Sequence, residues 1–136
     1  MKRTKLLNSH LSALVAQLGH MDEVLIVDAG FPTPKGVNVI DLAVVPGLPC
    51  LVDVLQALRS ELCIETAIRA EEAGIDFIND IKSVLDDWSA ELEQPIAFTQ
   101  TPHDDMKQRT KQAKAIIRTG ETTPYANLIL VSGVVF

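Results

Sequence analysis

Positive charge is outnumbered in this chain, and it forms no long basic run. The 136 residues carry 12 Lys and Arg against 18 Asp and Glu, a formal net charge of −6. Binding to phosphate backbones needs clustered Lys and Arg, so no nucleic acid is expected as a partner. Long apolar runs are missing too. None approaches the roughly 20 residues that span a bilayer, so no membrane partner is expected. The opening Met1-Lys2-Arg3-Thr4-Lys5 is basic but lacks the apolar core and small-residue cleavage site of a signal peptide. The expected location is cytoplasmic. Cysteine is limited to Cys50 and Cys63, each in an apolar stretch and without metal-ligand spacing. They read as buried free thiols, not as a disulfide or redox pair. There is no Gly-rich phosphate loop, no Gly-x-Ser-x-Gly elbow and no His-Glu-x-x-His. With three histidines and no cluster at ligand spacing, neither metal nor cofactor is expected.

What is present suits one globular domain over residues 1–136, long enough for a real core. A hydrophobic fraction of 47% and a charged fraction of 22% are ordinary for a soluble protein. Helical spacing of Leu11, Leu14, Val15 and Leu18 predicts a first helix from 8 or 9 to 18, stopped by Gly19. The continuous apolar run 24–27 predicts a strand buried on both faces. Further strands are expected at 39–43, 63–68, 96–100 and 128–136. Helices are expected at 52–58, at 76–88, and from near His103 to just before Arg118. Helices alternating with strands point to a three-layer α/β/α fold with a largely parallel central sheet.

The richest stretch joins Gly19-His20-Met21-Asp22 to Val27-Asp28-Ala29-Gly30-Phe31-Pro32. His20 stands at a helix end, and Asp28 closes the strand that follows. In an open α/β sheet, the carboxyl end of a strand faces the crevice where ligands bind. His103 lies in Thr101-Pro102-His103-Asp104-Asp105, with Thr101 a candidate N-cap and Pro102 a candidate first helical residue. Lys107 is four residues on and shares its helix face. His10, in the first turn of the first helix, reads as structural or surface. In Pro124-Tyr125-Ala126-Asn127, an extended backbone would point Tyr125 and Asn127 to the same side, as a clamp for sugar hydroxyls. Each of these residues also has a plain reading, as a cap, a solvated face or a turn.

Taken in order, the motifs are more specific. Leu7-Asn8-Ser9, Gly19-His20-x-Asp22, Asp28-Ala29-Gly30-x-Pro32, Ile40-Asp41-Leu42-Ala43, Ile117-Arg118-Thr119-Gly120-Glu121, Pro124-Tyr125-Ala126-Asn127 and Ser132-Gly133-Val134-Val135-Phe136 run from first helix to last residue. This pattern closely resembles the ribose pyranase/fucose mutarotase family, and within it the ribose branch. Pro34-Lys35, Ile40-Asp41-Leu42 and Tyr125-Ala126-Asn127 set it apart from the fucose branch. The resemblance implies an isomerase that interconverts the pyranose and furanose forms of D-ribose without a cofactor. It implies a proton-donor role at His20 and sugar contacts at Asp28, His103, Tyr125 and Asn127, with Lys107 beside them. It also implies a homodecamer of two stacked pentamers with sites at subunit boundaries.

Opening a sugar hemiacetal needs one group to take the anomeric hydroxyl proton and another to protonate the ring oxygen. The carboxyl end of a helix favours a cation and the amino end a neutral ring. This expectation assigns His20 as acid and His103 as base or neutral partner. His20 precedes the 24–27 strand and Asp28 ends it, and such a strand is about 13–17 Å long. The two residues meet only if the intervening turn folds back or if His20 serves a neighbouring subunit. The competing readings are a fucose mutarotase and a non-catalytic ribose-binding accessory of a transport system.

Overall fold

The apolar run at 24–27 becomes the heart of a six-stranded sheet. The computed structural model describes all 136 residues. In chain order the elements are α1 (Ser9–Gln17), β1 (Glu23–Val27), β2 (Val39–Asp41), α2 (Leu51–Arg59), β3 (Ile64–Ala70), α3 (Ile75–Leu92), β4 (Ala97–Thr101), α4 (His103–Arg109), β5 (Ala115–Arg118) and β6 (Leu128–Ser132). A short 3-10 turn, Thr110–Gln112, follows α4. The strand order is β2-β5-β1-β6-β3-β4. Pairings β1–β5, β2–β5 and β3–β4 are parallel, while β6 runs antiparallel to β1 and β3. Five strands therefore point one way, and β6 alone points back between them. The largely parallel α/β sheet is borne out.

Alternate residues along β1 enter two different cores. Val24 and Ile26 join Leu11 and Leu14 of α1, Leu55 of α2 and Trp88 of α3 in the larger cluster. Leu25 and Val27 face the other way, toward Met106 of α4. Helices thus lie on both faces of the sheet. No helix is long and apolar enough to cross a membrane.

Most predicted elements form within a few residues of their expected bounds. Asn8 caps α1, its side chain accepting the Leu11 N–H at 3.0 Å. Three expectations need correction. The helix beginning at His103 ends at Arg109, and 115–118 is the strand β5. The run from Met106 to Ala115 is rich in helix formers and has no Gly or Pro to break it, so local propensity favoured a helix. Burial decides otherwise: Ala115, Ile116 and Ile117 are wholly buried between β1 and β2. The last strand stops at Ser132, with 133–136 outside it. Thr101 is not the cap of α4, because it pairs with Ala70 as the last residue of β4.

Both cysteines are free and only partly buried. Burial pushes the Cys50 thiol up, aided by its hydrogen bond to Asp53, and pushes Cys63 up as well, aided by the charge of Glu65. Neither is suited to be a nucleophile, which needs a thiolate.

Candidate active site

All five parallel strands end at one edge of the sheet, and most of the candidate residues gather there. Asp28 follows β1, His103 follows β4, and Asn127 precedes the oppositely directed β6. Asp28 and Asn127 are locked together across 99 residues of sequence. The Asp28 N–H donates to Asn127 Oδ1 at 2.8 Å, and Asn127 Nδ2 donates to Asp28 Oδ2 at 2.9 Å. Asp28 Oδ1 accepts the Gly30 N–H at 2.9 Å. An ionised carboxylate offers about four lone-pair sites, so this one, only partly buried, keeps capacity for further donors.

His103 stands between two aromatic rings. Phe31 meets it edge-on at 5.7 Å between centroids and Tyr125 at 5.2 Å. Its ring Nδ1 is buried and has no hydrogen-bond partner in the chain. A buried polar atom in that condition costs free energy until something bonds to it. The backbone N–H of His103 donates to the Glu72 carboxylate at 3.0 Å. Lys107, the next turn of α4, pairs with Asp104 at 3.3 Å at the surface.

The expected clamp takes another shape. The backbone at Tyr125 is left-handed, with φ 58°, and the Asn127 N–H folds back to the Tyr125 carbonyl at 2.9 Å. The segment is therefore a tight turn, not extended. Tyr125 stands exposed beside His103, while Asn127 is fully buried and turned onto Asp28. An L-residue held left-handed costs roughly 1–2 kcal/mol, so the surroundings must impose it.

Glu121 anchors that turn. Its Oε1 accepts the N–H groups of Thr122 and Thr123, both at 3.0 Å, and its Oε2 accepts the Leu51 N–H at the start of α2 at 3.2 Å. Its carbonyl accepts the Ala29 N–H at 2.9 Å, next to Asp28. Burial alone would raise this carboxyl, but the bonds from Thr123, Leu51 and Thr122 outweigh it and hold it below the usual value. Just before it, Gly120 lies against the 45–49 hairpin. A Cβ there would come within 2.6 Å of the Val45 and Leu48 carbonyl oxygens, so only glycine fits.

His20 is not with these residues. It lies at the opposite edge, where β1 begins and β6 ends. The Met21 N–H donates to the Ser132 carbonyl at 2.9 Å, and the Ser132 N–H donates to Asp22 at 2.9 Å. The turn therefore does not fold back along β1, whose five residues separate His20 from Asp28 by about 17 Å. The imidazole Nε2 instead meets Glu65 Oε1 at 2.8 Å.

Sequence reasoning did not single out Phe31, Glu65, Glu72 or Glu121 as site residues. Phe31 could have been found, since it sits in the Asp28 loop. Nothing local marks Glu65 or Glu72, and Glu121 stood in the Ile117–Glu121 motif without a role assigned to it.

Comparison with known proteins agrees with this architecture. Residues 1–135 match the model of the RbsD / FucU transport protein family. D-ribose pyranases from Aeromonas salmonicida and Paracidovorax citrulli are 48% and 47% identical, each over the whole of both chains. The structure of Bacillus subtilis RbsD complexed with D-ribose superposes with a TM-score of 0.85 at 42% identity over the full length of both chains. The Streptococcus pneumoniae fucose mutarotase in complex with L-fucose shares the fold, with a TM-score of 0.79 at 23% identity over both full lengths. The chain belongs to the RbsD / FucU family.

Proposed function

We propose that this chain is a D-ribose pyranase, an isomerase that interconverts the pyranose and furanose forms of ribose by opening and reclosing the ring. The observation that carries it is full-length relatedness to curated D-ribose pyranases. The solved fucose mutarotase shares the fold but too little sequence to bring its substrate across.

The site supports the chemistry. Ring opening moves the anomeric hydroxyl proton to a base while an acid protonates the ring oxygen and the bond between that oxygen and the anomeric carbon breaks. The open aldehyde then closes through a different hydroxyl. Asp28, held rigid by Asn127, accepts sugar hydroxyls. His103 Nδ1 gains in the sugar the partner it lacks, and serves as base or neutral hydrogen-bond partner. Tyr125 and Phe31 hold that ring edge-on, Tyr125 also offers its phenol to the sugar, and Lys107 lies at the margin. His20 is the acid, and it reaches the sugar from a neighbouring subunit. No cofactor is required, because the reaction involves no redox step. A cytoplasmic decamer with sites at its subunit boundaries fits this plan. The exposed Val44, with Val45 and Leu48 of the adjoining 45–49 hairpin, supplies apolar surface for subunit contact.

Saturation-transfer NMR on ribose tests the reading. Added protein should speed exchange between pyranose and furanose resonances, and His20→Ala should abolish the gain. Binding without faster exchange would make the chain a ribose-binding accessory. Acceleration with fucose but not with ribose would move it to the other branch of the family.

A further inference from the structure

The contact between His20 and Glu65 is built by three separate local features. First, β3 carries an extra residue at Glu65. Ile64 pairs with Ser132, yet Thr66 pairs with Val131, so the register slips by one. Such a bulge re-aims the side chain it carries. Second, Gly133 leaves room for that side chain. A Cβ on Gly133 would stand 2.7 Å from Glu65 Cγ, closer than any packed neighbour tolerates. Third, the residue after His20 is forced. Met21 is left-handed with φ 67°, pinned by its N–H bond to Ser132, while the Gly19 N–H is held by Asp22 Oδ2 at 2.8 Å.

Stability does not explain this investment. The imidazole and the carboxylate are 52% and 39% exposed. An exposed pair of this kind contributes about 0–1 kcal/mol, while the left-handed Met21 costs roughly as much or more. We infer that Glu65 is the positioning residue for His20: it accepts the Nε2–H, fixes the ring's orientation, and leaves the Nδ1–H of the doubly protonated ring to face and protonate the sugar's ring oxygen. The inference rests on the reading of His20 as the acid of ring opening. Orienting the second nitrogen of a working imidazole is a common task of a carboxylate.

The test uses the full-length protein with Glu65→Ala, Glu65→Gln and Gly133→Ala. The imidazole N–H of His20 is observed by low-temperature proton–nitrogen NMR and assigned by its loss in His20→Gln. It should be visible in the wild type and in E65Q, whose amide oxygen still accepts it, and lost to solvent exchange in E65A. For ribose exchange, kcat should fall on the order of tenfold in E65A, with KM unchanged, as for a misplaced catalytic group. E65Q should recover most of that loss. Should E65A not fold, G133A carries the same expectation with Glu65 still present, because its new methyl displaces the carboxylate. Unchanged kcat in both E65A and G133A, or an N–H equally visible in E65A, would overturn the assignment. A wild-type protein that does not speed ribose exchange would defeat the proposed activity instead, and the N–H signal would still decide the contact.

Discussion

The Asp28–Asn127 pair shows how a single residue can serve the proposed site without facing the sugar. Asn127 is fully buried, and its amide oxygen and nitrogen are both spent on Asp28. A free aspartate at a strand end samples several rotamers. This one has one carboxylate oxygen held by Asn127 and the other by Gly30. Its remaining lone pairs therefore point in set directions before any sugar arrives, which lowers the entropic cost of binding. Asn127→Leu keeps the volume and removes both partners. The Asp28 N–H is then left unsatisfied, which should cost about 1–3 kcal/mol of stability. Thermal melts should show that loss, and ribose titrations should show weaker binding. A variant that melts normally and binds ribose as well as wild type would mean that Asp28 needs no such clamp.

Elements are joined at the site by Glu121, whose carboxylate ties the start of α2 to the turn that carries Tyr125. Its carboxyl is held below the usual value of about 4.3. A depressed carboxyl contributes stability that is present above its unfolded value and is lost as pH falls through its folded value. Glu121→Gln should therefore melt below wild type at neutral pH, and the gap should close as the solution is acidified below about pH 4. A gap that stays constant with pH would show that the charge of Glu121 contributes nothing. Residues of this kind explain what was legible in the sequence. Residues 24–27 and the apolar run from 128 announced strands, the second read four residues too long, because a sheet covered on both faces needs continuous apolar runs. Asp28, His103 and Tyr125 stood out because each lies within two residues of the Gly or Pro that shapes its turn. Glu65 and Glu72 were silent, because their contacts are made across 45 and 31 residues, and Glu121, though it closes a motif, gave no sign of its bond to Leu51 across 70 residues. The β5 strand was hidden for a related reason: only four residues long, it follows a helix-prone run without a Gly or Pro between them, and its pairing with β1 and β2 is made across the sequence.

Across the whole molecule, the direction of the strands separates the two halves of the proposed chemistry. Every parallel strand delivers its end to the edge that holds Asp28 and His103, and His20 sits where β1 begins. On the proposed reading, one chain presents a sugar-binding half at one edge and an acid at the other, and the site closes only where two chains meet. This geometry makes a quantitative forecast for mixed assemblies. His20→Ala and Asp28→Ala subunits should each be inactive alone, since every boundary lacks one half. When the two are co-expressed in equal amounts, a boundary joining an intact Asp28 half to an intact His20 is formed about one time in four by random assembly around closed symmetry. Ribose exchange should then recover to about a quarter of the wild-type rate per subunit. Recovery measures the sharing directly, because no chain in the mixture carries both residues. A mixture as inactive as its parents, with subunit exchange verified by mass, would place acid and anchor within one chain and require His20 to act from a distance this fold does not bridge.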